Sequence, residues 1–589
     1  MVGKNIDIEE MQKDISDYVS KKYGIKFKVA AFGTAPEAAR EKGEEEVKEC
    51  KNELASIHFD MKPGELKAYL DEYMVKQDEA KQVLATKICT HFNRIKRFEL
   101  NRRKKRPEAV GEIKNNIIMI GPTGVGKTFL IKLIASKIGV PFVKGDATKF
   151  SETGYVGGDV EDLVRELVHE ANGNIELAQY GIIYLDEVDK LAASRGLMGP
   201  DVSRSGVQRA LLKPLEETEV ELKVPHDPIS QMEAVQEYQR TGKRENKKIS
   251  TRHILFIMSG AFAGLEEIVE RRRHQKGIGF GAEMPVKDKQ AEHLRHLKAE
   301  DLIQYGFESE FIGRLPVVTV FEHLETDDLY KILCNPKSPI VIGKRRDFKA
   351  YGIDLQFEDG ALHKIAENAA KERTGARGLV SAVERVLMKF EHTLPSTDIH
   401  RLLVTEAMVD DPAGELEKIL AQPVDPERDA AFCRLVAAEE ERLEKLASRR
   451  IPEWESVYKI PFADDRVKLI IRHAIERQID VDAAAEEFSG VQKAVHGFTE
   501  EFCLKNDLEA SFSDGAVDAL AEKVWKEPQD PAEYLKCALH NYGHGLRLIR
   551  EKTGKRKFLI PAAAVENPEH YLNCLIQEAY RQQESGVNP

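Results

Sequence analysis

The chain has 589 residues but only seven cysteines, and no two of them form a Cys-x-x-Cys pair. Neither a zinc module nor a disulfide framework is therefore expected, and the thiols should be reduced. The sequence also lacks an apolar run of membrane-spanning length, and its start carries Asp7, Glu9 and Glu10 where a secretory signal would be basic and then apolar. These absences predict a cytoplasmic protein with no zinc and no membrane partner.

Positive charge is also scarce relative to negative charge. Lys and Arg number 88 against 100 Asp and Glu, which gives a formal net charge of −12. A general nucleic-acid binder normally carries a basic surplus, so this balance argues against a nucleic-acid partner. With 42% hydrophobic residues in a chain too long for one core, several globular domains are expected.

A glycine-rich octapeptide follows the apolar run at residues 116–120. It reads Gly121, Pro122, Thr123, Gly124, Val125, Gly126, Lys127, Thr128. Such a loop between a buried strand and a helix points backbone N–H groups and the helix N-terminus at phosphate oxygens. In this pattern Lys127 reaches the outer phosphates and Thr128 offers its hydroxyl to Mg²⁺. The sequence predicts a site for ATP and Mg²⁺; an accidental glycine turn is the alternative.

A second motif supports the first. The apolar segment from Gly181 ends in the adjacent carboxylates Asp186 and Glu187. Asp186 is predicted to help hold Mg²⁺, whereas Glu187, expected to point the opposite way on the strand, should polarise the attacking water. Ser259 ends another apolar strand and is the candidate for a first nucleotide sensor, although it could be a plain strand-end serine. The alternative interpretation is that Asp186 and Glu187 are simply two solvated acids after a core strand, with no role in ATP hydrolysis.

The chain divides into four predicted parts. Residues 1–64 are polar and helical, 65–322 form a large ATPase domain, 323–412 a small and mostly helical domain, and 413–589 a helical extension. Within the large domain, strands alternate with helices, which is typical of an α/β fold with a parallel sheet covered on both faces. The predicted strands are residues 115–120, 142–146, 182–186 and 254–259.

Part of the extension repeats the small domain. The segment 357–362, Phe-Glu-Asp-Gly-Ala-Leu, recurs at 512–517 as Phe-Ser-Asp-Gly-Ala-Val, and apolar helix positions follow at the same offset. Residues 500–575 are therefore a candidate for a degenerate second copy of the small domain. The alternative is that any two amphipathic helices resemble each other.

A glycine-flanked pair, Tyr155 and Val156, lies between Gly154 and Gly157. An aromatic side chain on such a loop could grip extended polypeptides regardless of their sequence. A turn with an inward-facing tyrosine is the competing interpretation.

Taken in order, these motifs resemble those of the ClpX-type AAA+ ATPases of the Clp/Hsp100 unfoldase family. The resemblance covers about residues 66–411. Besides the motifs above, it includes Asp146-Ala-Thr148, Asp201-Val-Ser203, Gly260-Ala-Phe262, Glu310-Phe-Ile-Gly-Arg314-Leu-Pro316 and Gly375-Ala-Arg377-Gly-Leu379. It implies an AAA+ large domain and a small helical AAA+ C-domain, with helical extensions at both ends.

The resemblance also implies roles for individual residues. Arg314 corresponds to the arginine finger that reaches a neighbouring subunit's nucleotide, and Arg377 to the second sensor, which contacts phosphate in cis. Val75 falls in the adenine-contact motif, although Lys76 stands where the family has glycine. Tyr155 and Val156 would line the pore of a homo-hexamer that threads unfolded or tagged proteins.

A further family feature is a docking loop for the peptidase ClpP. Ile278, Gly279 and Phe280 match its Ile-Gly-Phe tripeptide, and a buried turn is the alternative. The implied protein hydrolyses ATP, has no peptidase activity of its own and serves a ClpP-type peptidase. Two departures are the missing N-terminal zinc domain and a rebuilt pore entrance at residues 222–250.

Other functions remain as alternatives. Some motifs are similar to HslU, but only a short segment separates Gly157 from Ile182, where HslU has an inserted domain. An AAA+ remodelling ATPase without a peptidase, a nucleic-acid motor and a non-hydrolysing scaffold share the same core. The acidic charge and the loop from Gly154 to Gly157 argue against a nucleic-acid motor. The presence of both Glu187 and Arg314 argues against a scaffold that does not hydrolyse ATP.

In the candidate second copy of the small domain, Ala532 stands at the position of Arg377. That copy is therefore expected not to respond to ATP.

Overall fold

The computed structural model describes residues 61–104, 113–150, 158–192, 202–222, 247–275, 294–526 and 529–584. Most of the polar N-terminal part and most of the pore-entrance segment lie outside these ranges. So do the predicted gripping and docking residues, which are Tyr155, Val156, Ile278, Gly279 and Phe280. Within the described residues, no helix combines the length and apolarity needed to cross a bilayer.

The large domain begins with two helices that precede the first strand. Its elements are α1 (Pro63–Tyr73), α2 (Asp78–Arg103), β1 (Ile117–Ile120), α3 (Lys127–Ile138), β2 (Phe142–Asp146), α4 (Val160–Glu170), α5 (Ile175–Ala178), β3 (Ile182–Asp186), α6 (Val202–Leu215), β4 (Glu219–Glu221), β5 (Lys248–Ser250), β6 (Leu255–Gly260), α7 (Leu265–Gln275), α8 (Ala299–Tyr305), α9 (Ser309–Gly313) and β7 (Val317–Val320).

Five of these strands form one parallel sheet in the order β2-β3-β6-β1-β7. Alternate residues of β1 enter separate apolar cores on the two faces, Ile118 and Ile120 in one, Ile117 and Met119 in the other. Side chains in a strand alternate between faces, so a sheet covered on both sides has continuously apolar strands. The predicted α/β architecture is confirmed. Strand β7, at the edge of the sheet, was not predicted.

The small domain consists of helices around a two-stranded parallel sheet. Its elements are α10 (Thr326–Cys334), α11 (Pro339–Ala350), β8 (Asp354–Phe357), α12 (Asp359–Lys371), α13 (Ala376–Thr393), β9 (Arg401–Val404), α14 (Glu406–Asp410) and α15 (Pro412–Ala421). Ile419 on α15 belongs to the core of this domain. The packed unit therefore continues beyond residue 412.

A long helix then leads to a second helical unit. The extension contains α16 (Pro426–Tyr458), α17 (Asp464–Arg477), α18 (Val481–Asn506), β10 (Glu509–Phe512), α19 (Asp514–Lys526), α20 (Pro531–Ala538), α21 (Tyr542–Thr553), β11 (Lys557–Ile560), α22 (Ala562–Glu566) and α23 (Pro568–Glu584). Strands β10 and β11 are parallel neighbours, as β8 and β9 are in the small domain.

The two units bury the same positions of the helix that follows their first strand. The buried residues of α12 are Ala361, Leu362, Ile365, Ala366 and Ala369. Those of α19 are Ala516, Val517, Leu520, Ala521 and Val524. Each pair is separated by the same offset as the repeated sequence segment. The unit around β10 and β11 extends at both ends beyond the predicted range 500–575.

Candidate nucleotide site

A cavity of about 590 Å³ lies between the large and small domains. At one end it is lined by the glycine loop and the carboxylates after β3, and at the other by apolar residues near the junction of the two domains. Its lining residues include Tyr73, Met74, Val75, Thr123, Gly124, Val125, Gly126, Lys127, Thr128, Asp186, Glu187, Asp189, Gly260, Leu324, Ile332, Asn335, Ser338, Pro339, Ile340, Ala376, Arg377 and Val380. This volume is within the range of small-molecule and cofactor sites.

The glycine loop takes a backbone path that requires glycine at two positions. Gly124 and Gly126 have φ values of 79° and 92°, and a Cβ at Gly124 would lie 2.1 Å from Thr374 O. At Gly126, a Cβ would lie 2.8 Å from Met74 Cε. Both positions combine a left-handed backbone with close approach of neighbouring atoms, so side chains are excluded. The loop therefore packs closely against Thr374 of the small domain at Gly124 and against Met74, just after α1, at Gly126.

Lys127 opens α3 and folds back over the glycine loop. Its Nζ donates to Gly121 O at 2.6 Å and to Pro122 O at 2.8 Å. Burial lowers the pKa of this ammonium to about 8, although Asp186 and Asp189 act to raise it. The chain therefore holds a partly desolvated cation at the phosphate end of the cavity.

Four side chains form a hydrogen-bonded row between the glycine loop and the end of β3. Ser259 Oγ donates to Asp186 Oδ1 at 2.7 Å and lies 2.6 Å from the Tyr184 hydroxyl, which is 3.0 Å from Thr128 Oγ1. Because Ser259 gives its proton to Asp186, Tyr184 must donate to Ser259 and Thr128 to Tyr184. Burial raises the pKa of Tyr184 to about 12, so this phenol keeps its proton. The arrangement leaves the Thr128 oxygen lone pairs available to a cation.

Asp186 is held in its ionised form. Burial acts to raise the pKa of its carboxyl, but hydrogen bonds from Ser259 and Lys144 lower the pKa overall. The Lys144 Nζ lies 3.0 Å from Asp186 Oδ2. An ionised carboxylate beside a free hydroxyl oxygen is the donor set that Mg²⁺ prefers. Thr128 and Asp186 therefore fit the predicted magnesium site.

Glu187 departs from the expected strand geometry. Strand β3 ends at Asp186, and Glu187 takes a left-handed conformation with φ of 57°. The prediction that Glu187 points away from Asp186 assumed that it is the next residue of the strand, and this assumption is wrong because the chain turns at Glu187. Its backbone N–H donates to Asp186 Oδ1 at 3.1 Å, and its exposed side chain lines the cavity.

Two of the predicted contacts come from outside the sheet. The small domain brings Arg377 to the cavity in the first turn of α13, where Ala376 N donates to Gly124 O at 2.8 Å. At the apolar end, Val75 lines the cavity. The next residue, Lys76, adopts the left-handed conformation at φ of 60°, and its Nζ lies 3.0 Å from Asp328 Oδ2 in α10. Lysine therefore occupies the family's glycine position and ties this segment to the small domain.

Arg314 lies outside the cavity of its own chain in the part of the molecule described. It follows α9, its side chain pairs with Glu216, and its carbonyl accepts from Asn116 Nδ2 at 3.1 Å. The Arg314 side chain is 45% exposed, so it is accessible to another molecule.

Sequence reasoning missed three residues of the site. Tyr184 links Thr128 to Ser259, Lys144 pairs with Asp186, and Asp189 accepts from Ala261 N at 3.2 Å. Tyr184 could have been identified, because residues two apart on a strand share a face and Tyr184 therefore accompanies Asp186. Lys144 and Asp189 depend on strand order and on the turn after β3, for which the sequence has no local pattern.

A five-stranded parallel sheet whose glycine loop faces a small helical domain defines an AAA+ ATPase module. The family model for the AAA domain (Cdc48 subfamily) matches residues 112–318. A second model, the C-terminal D2-small domain of ClpB protein, matches residues 341–390.

Relatives identify the family within this class. The chain is 41% identical over 355 residues to the ATP-dependent Clp protease ATP-binding subunit ClpX of Borrelia duttonii (strain Ly), which is 59% of this chain and 78% of the relative. The protein of the same name from Borrelia recurrentis (strain A1) gives the same values. That of Treponema denticola is 40% identical over 354 residues, covering 59% of this chain and 81% of the relative. The chain belongs to the ClpX family of Clp AAA+ ATPases.

Proposed function

We propose that the chain couples ATP hydrolysis to the unfolding of proteins, which it threads through the pore of a homo-hexameric ring as the regulatory subunit of a ClpP-type peptidase. One observation carries the proposal. The glycine loop, the adjacent carboxylates Asp186 and Glu187, and Arg377 of the small domain all line a single cavity. The relatives named as ATP-binding subunits of the Clp protease support the same conclusion.

The phosphate end of the cavity would hold the triphosphate through the chain's own groups. Backbone N–H groups of the loop from Gly121 to Gly126 and the N-terminus of α3 favour anionic oxygens, and Lys127 supplies a cation. Thr128 and Asp186 would hold Mg²⁺, which when bound neutralises charge on the outer phosphates. Ser259 donates to Asp186 and, through Tyr184, directs the Thr128 proton away, so that lone pairs of the Thr128 oxygen would be available to the metal.

Hydrolysis requires an activated water and compensation of developing negative charge. Glu187 lines the cavity beside Asp186 and is the candidate to orient and polarise the water. Arg377 would contact phosphate from the small domain, so that the nucleotide state influences the angle between the two domains. A guanidinium is suited to this role because it is planar, permanently charged and able to donate several hydrogen bonds.

The position of Arg314 supports a ring. Its side chain is partly exposed, and Arg314 is not among the described residues that line the cavity of its own chain. As an arginine finger it would complete the site of a neighbouring subunit, which requires a closed assembly such as a hexamer. The contact with Glu216 would be exchanged for contact with the neighbour's nucleotide.

The proposals for substrate gripping and for peptidase docking rest on the resemblance to the ClpX family, because the residues concerned lie outside the ranges that the structure describes. Tyr155 and Val156 are proposed to line the pore and push on unfolded or tagged substrates. Ile278, Gly279 and Phe280 are proposed to dock in an apolar cleft of a ClpP-type peptidase, with the two apolar side chains as anchors.

We also propose that the unit formed by α17–α23 is a degenerate second AAA+ small domain. Its parallel strand pair and the buried positions of α19 support this assignment. The position that corresponds to Arg377 is Ala532, in the first turn of α20. This unit therefore has no sensor arginine at that position and is not expected to contact nucleotide. The division at residues 64, 322 and 412 remains a proposal.

The function is tested by separating hydrolysis from grip. Glu187→Gln should bind ATP but hydrolyse it about 10²- to 10⁴-fold more slowly, since it removes a general base. Tyr155→Ala should keep hydrolysis and lose the unfolding of a tagged fluorescent reporter, whereas Tyr155→Phe, which retains the aromatic ring, should keep both. If Tyr155→Ala unfolds the reporter at the wild-type rate, the pore assignment is wrong.

The peptidase partnership has its own test. Deleting residues 277–281 should abolish co-purification with a ClpP-type peptidase without reducing hydrolysis. Unchanged association would refute the docking role. Retained unfolding with no peptidase binding by the wild-type chain would favour remodelling without a peptidase.

A further inference from the structure

The extension contacts the chain segments that line the nucleotide cavity through a buried lysine between α10 and α11. Lys337 is 9% exposed, and its Nζ lies 2.9 Å from Glu72 Oε2, 2.9 Å from Asp480 Oδ2 and 3.1 Å from Asp482 Oδ2. Glu72 belongs to α1 of the large domain, whereas the two aspartates lie at the start of α18 in the extension. Three separate parts of the chain therefore meet on one ammonium group.

Two residues of α16 complete this group. Arg450 pairs with Glu72 and its Nη2 lies 3.5 Å from Asp482 Oδ2, while Trp454 Nε1 donates to Asp482 Oδ1 at 2.9 Å. Burial acts to raise the pKa of Asp482, but Lys337 and Trp454 lower it overall, so the carboxylate stays charged. We call Glu72, Lys337, Arg450, Asp480 and Asp482 the hinge cluster. Neutralising one sign of charge in such a cluster leaves the other poorly compensated in a buried site.

The residues that directly follow Glu72 and Lys337 in the chain form the apolar end of the cavity. After Glu72 these are Tyr73, Met74 and Val75, and after Lys337 they are Ser338, Pro339 and Ile340; all six line the cavity. Asn335, which also lines it, donates from Nδ2 to Glu72 O at 2.9 Å. A flat apolar purine fits this end, because the charged groups for phosphate lie at the other.

The extension is also fixed to the small domain at other points. Glu439 of α16 accepts from Arg345 at 2.6 Å and from Gln356 at 2.9 Å. Arg346 Nε donates to Gln478 O at 2.9 Å. The hinge cluster adds Glu72 of the large domain to these contacts, so the extension bridges both walls of the cavity.

We propose that Asp480, Asp482 and Arg450 are positioning residues that fix the base end of the nucleotide cavity in cis. They hold Lys337 and Glu72 together and so set the spacing between the segment after α1 and the segment before α11. The extension thereby contributes to nucleotide affinity without touching the nucleotide. This inference rests on the proposed nucleotide-binding function of the cavity.

The test compares two ligands: ADP, which would occupy both the base end and the phosphate end of the cavity, and inorganic tripolyphosphate, which would occupy only the phosphate end. In the full-length double variant Asp480→Asn/Asp482→Asn, the dissociation constant for ADP should rise about tenfold, a size typical of coupling between sites. Binding of inorganic tripolyphosphate, which needs only the phosphate end, should not change. The KM for ATP should rise with kcat retained. A general loss of folded protein would instead lower the binding stoichiometry for both ligands.

Three single variants accompany the double variant. Lys337→Arg keeps the central charge and should keep the wild-type affinity for ADP, whereas Lys337→Met should weaken it. Asp507→Asn is the control in the extension. Asp507 Oδ2 lies 3.0 Å from Arg550 Nη1, and neither residue belongs to the hinge cluster. This variant should leave ADP binding unchanged.

Unchanged ADP affinity in the double variant, or equal weakening of ADP and tripolyphosphate, would overturn the proposal. A wild-type chain that binds neither ligand would refute the function of the cavity instead. Amide hydrogen exchange over residues 335–342 in the ligand-free protein then decides on the hinge cluster itself. Faster exchange in the double variant supports the positioning role, and equal exchange contradicts it.

Discussion

The small domain and the second helical unit have similar frameworks but different surroundings. In both, a parallel strand pair is joined by helices, and α12 and α19 bury corresponding positions. The small domain places Arg377 in the nucleotide cavity, whereas the corresponding Ala532 lies on α20 of the extension. The extension meets the cavity from the outside, through the hinge cluster. The comparison teaches that similar buried cores can accompany different charged residues, and that these charged residues determine how each unit contacts the cavity.

The largest difference between the units should appear when the sensor position is changed. Arg377→Ala removes a cation proposed to contact phosphate and should lower ATP hydrolysis about 10²- to 10³-fold, comparable to the loss of one transition-state donor. Ala532→Arg places an arginine at the corresponding position of the second unit and should leave hydrolysis unchanged. Phosphate-release assays at saturating ATP measure both. A fall in hydrolysis for Ala532→Arg as large as that for Arg377→Ala would contradict the distinction.

Matched core substitutions should show whether the small domain and the second helical unit unfold independently of each other. Ile365→Ala in α12 and Leu520→Ala in α19 each truncate a fully buried side chain and should cost about 2–5 kcal/mol of local stability. Both tryptophans, Trp454 and Trp525, lie in the extension, so tryptophan emission reports its unfolding. In urea titrations, Leu520→Ala should shift the emission transition and Ile365→Ala should shift the loss of hydrolysis. Identical shifts in both measurements would mean that the units unfold together.

The smallest effect concerns the protonation of Lys127. Arg377 of the small domain lines the same cavity as Lys127, whereas the second unit has Ala532 at the corresponding position. The pKa of the Lys127 ammonium in the free cavity is about 8, and phosphate binding requires the charged form. Affinity for ADP should therefore fall as the pH rises above that value, by at most about tenfold per pH unit for one linked proton. Calorimetry in buffers of different ionisation enthalpy should detect proton uptake. Lys127→Arg, which stays charged, should abolish this pH dependence.

Much of the phosphate end could be predicted from the sequence because its residues stand at fixed spacings. The loop from Gly121 to Thr128 and the Asp186–Glu187 pair are local patterns, and the structure brings them to one cavity. The turn at Glu187 was not predictable, since its left-handed backbone depends on the packing of the segment after β3. Strand β7 has four residues, as β1 has, but it was missed because alternate residues are less buried than those of β1.

The hinge cluster could not be found in the sequence. Glu72, Lys337, Arg450 and the neighbouring pair Asp480 and Asp482 come from four distant parts of the chain, and each alone is an ordinary charged residue. They become a cluster only when the extension docks against the junction of the two domains. The sequence repeat indicated how the second unit folds, but it contained no information about the surface on which that unit packs.

The most direct measurement of the account mixes two inactive subunits. Glu187→Gln and Arg314→Ala chains should each hydrolyse ATP poorly alone, because one lacks the water-polarising group and the other the finger. When the two are co-expressed, some interfaces combine an intact Glu187 with an intact Arg314 from the neighbour, so hydrolysis should recover in part. A mixture no more active than either variant alone would contradict a site shared between subunits of a ring.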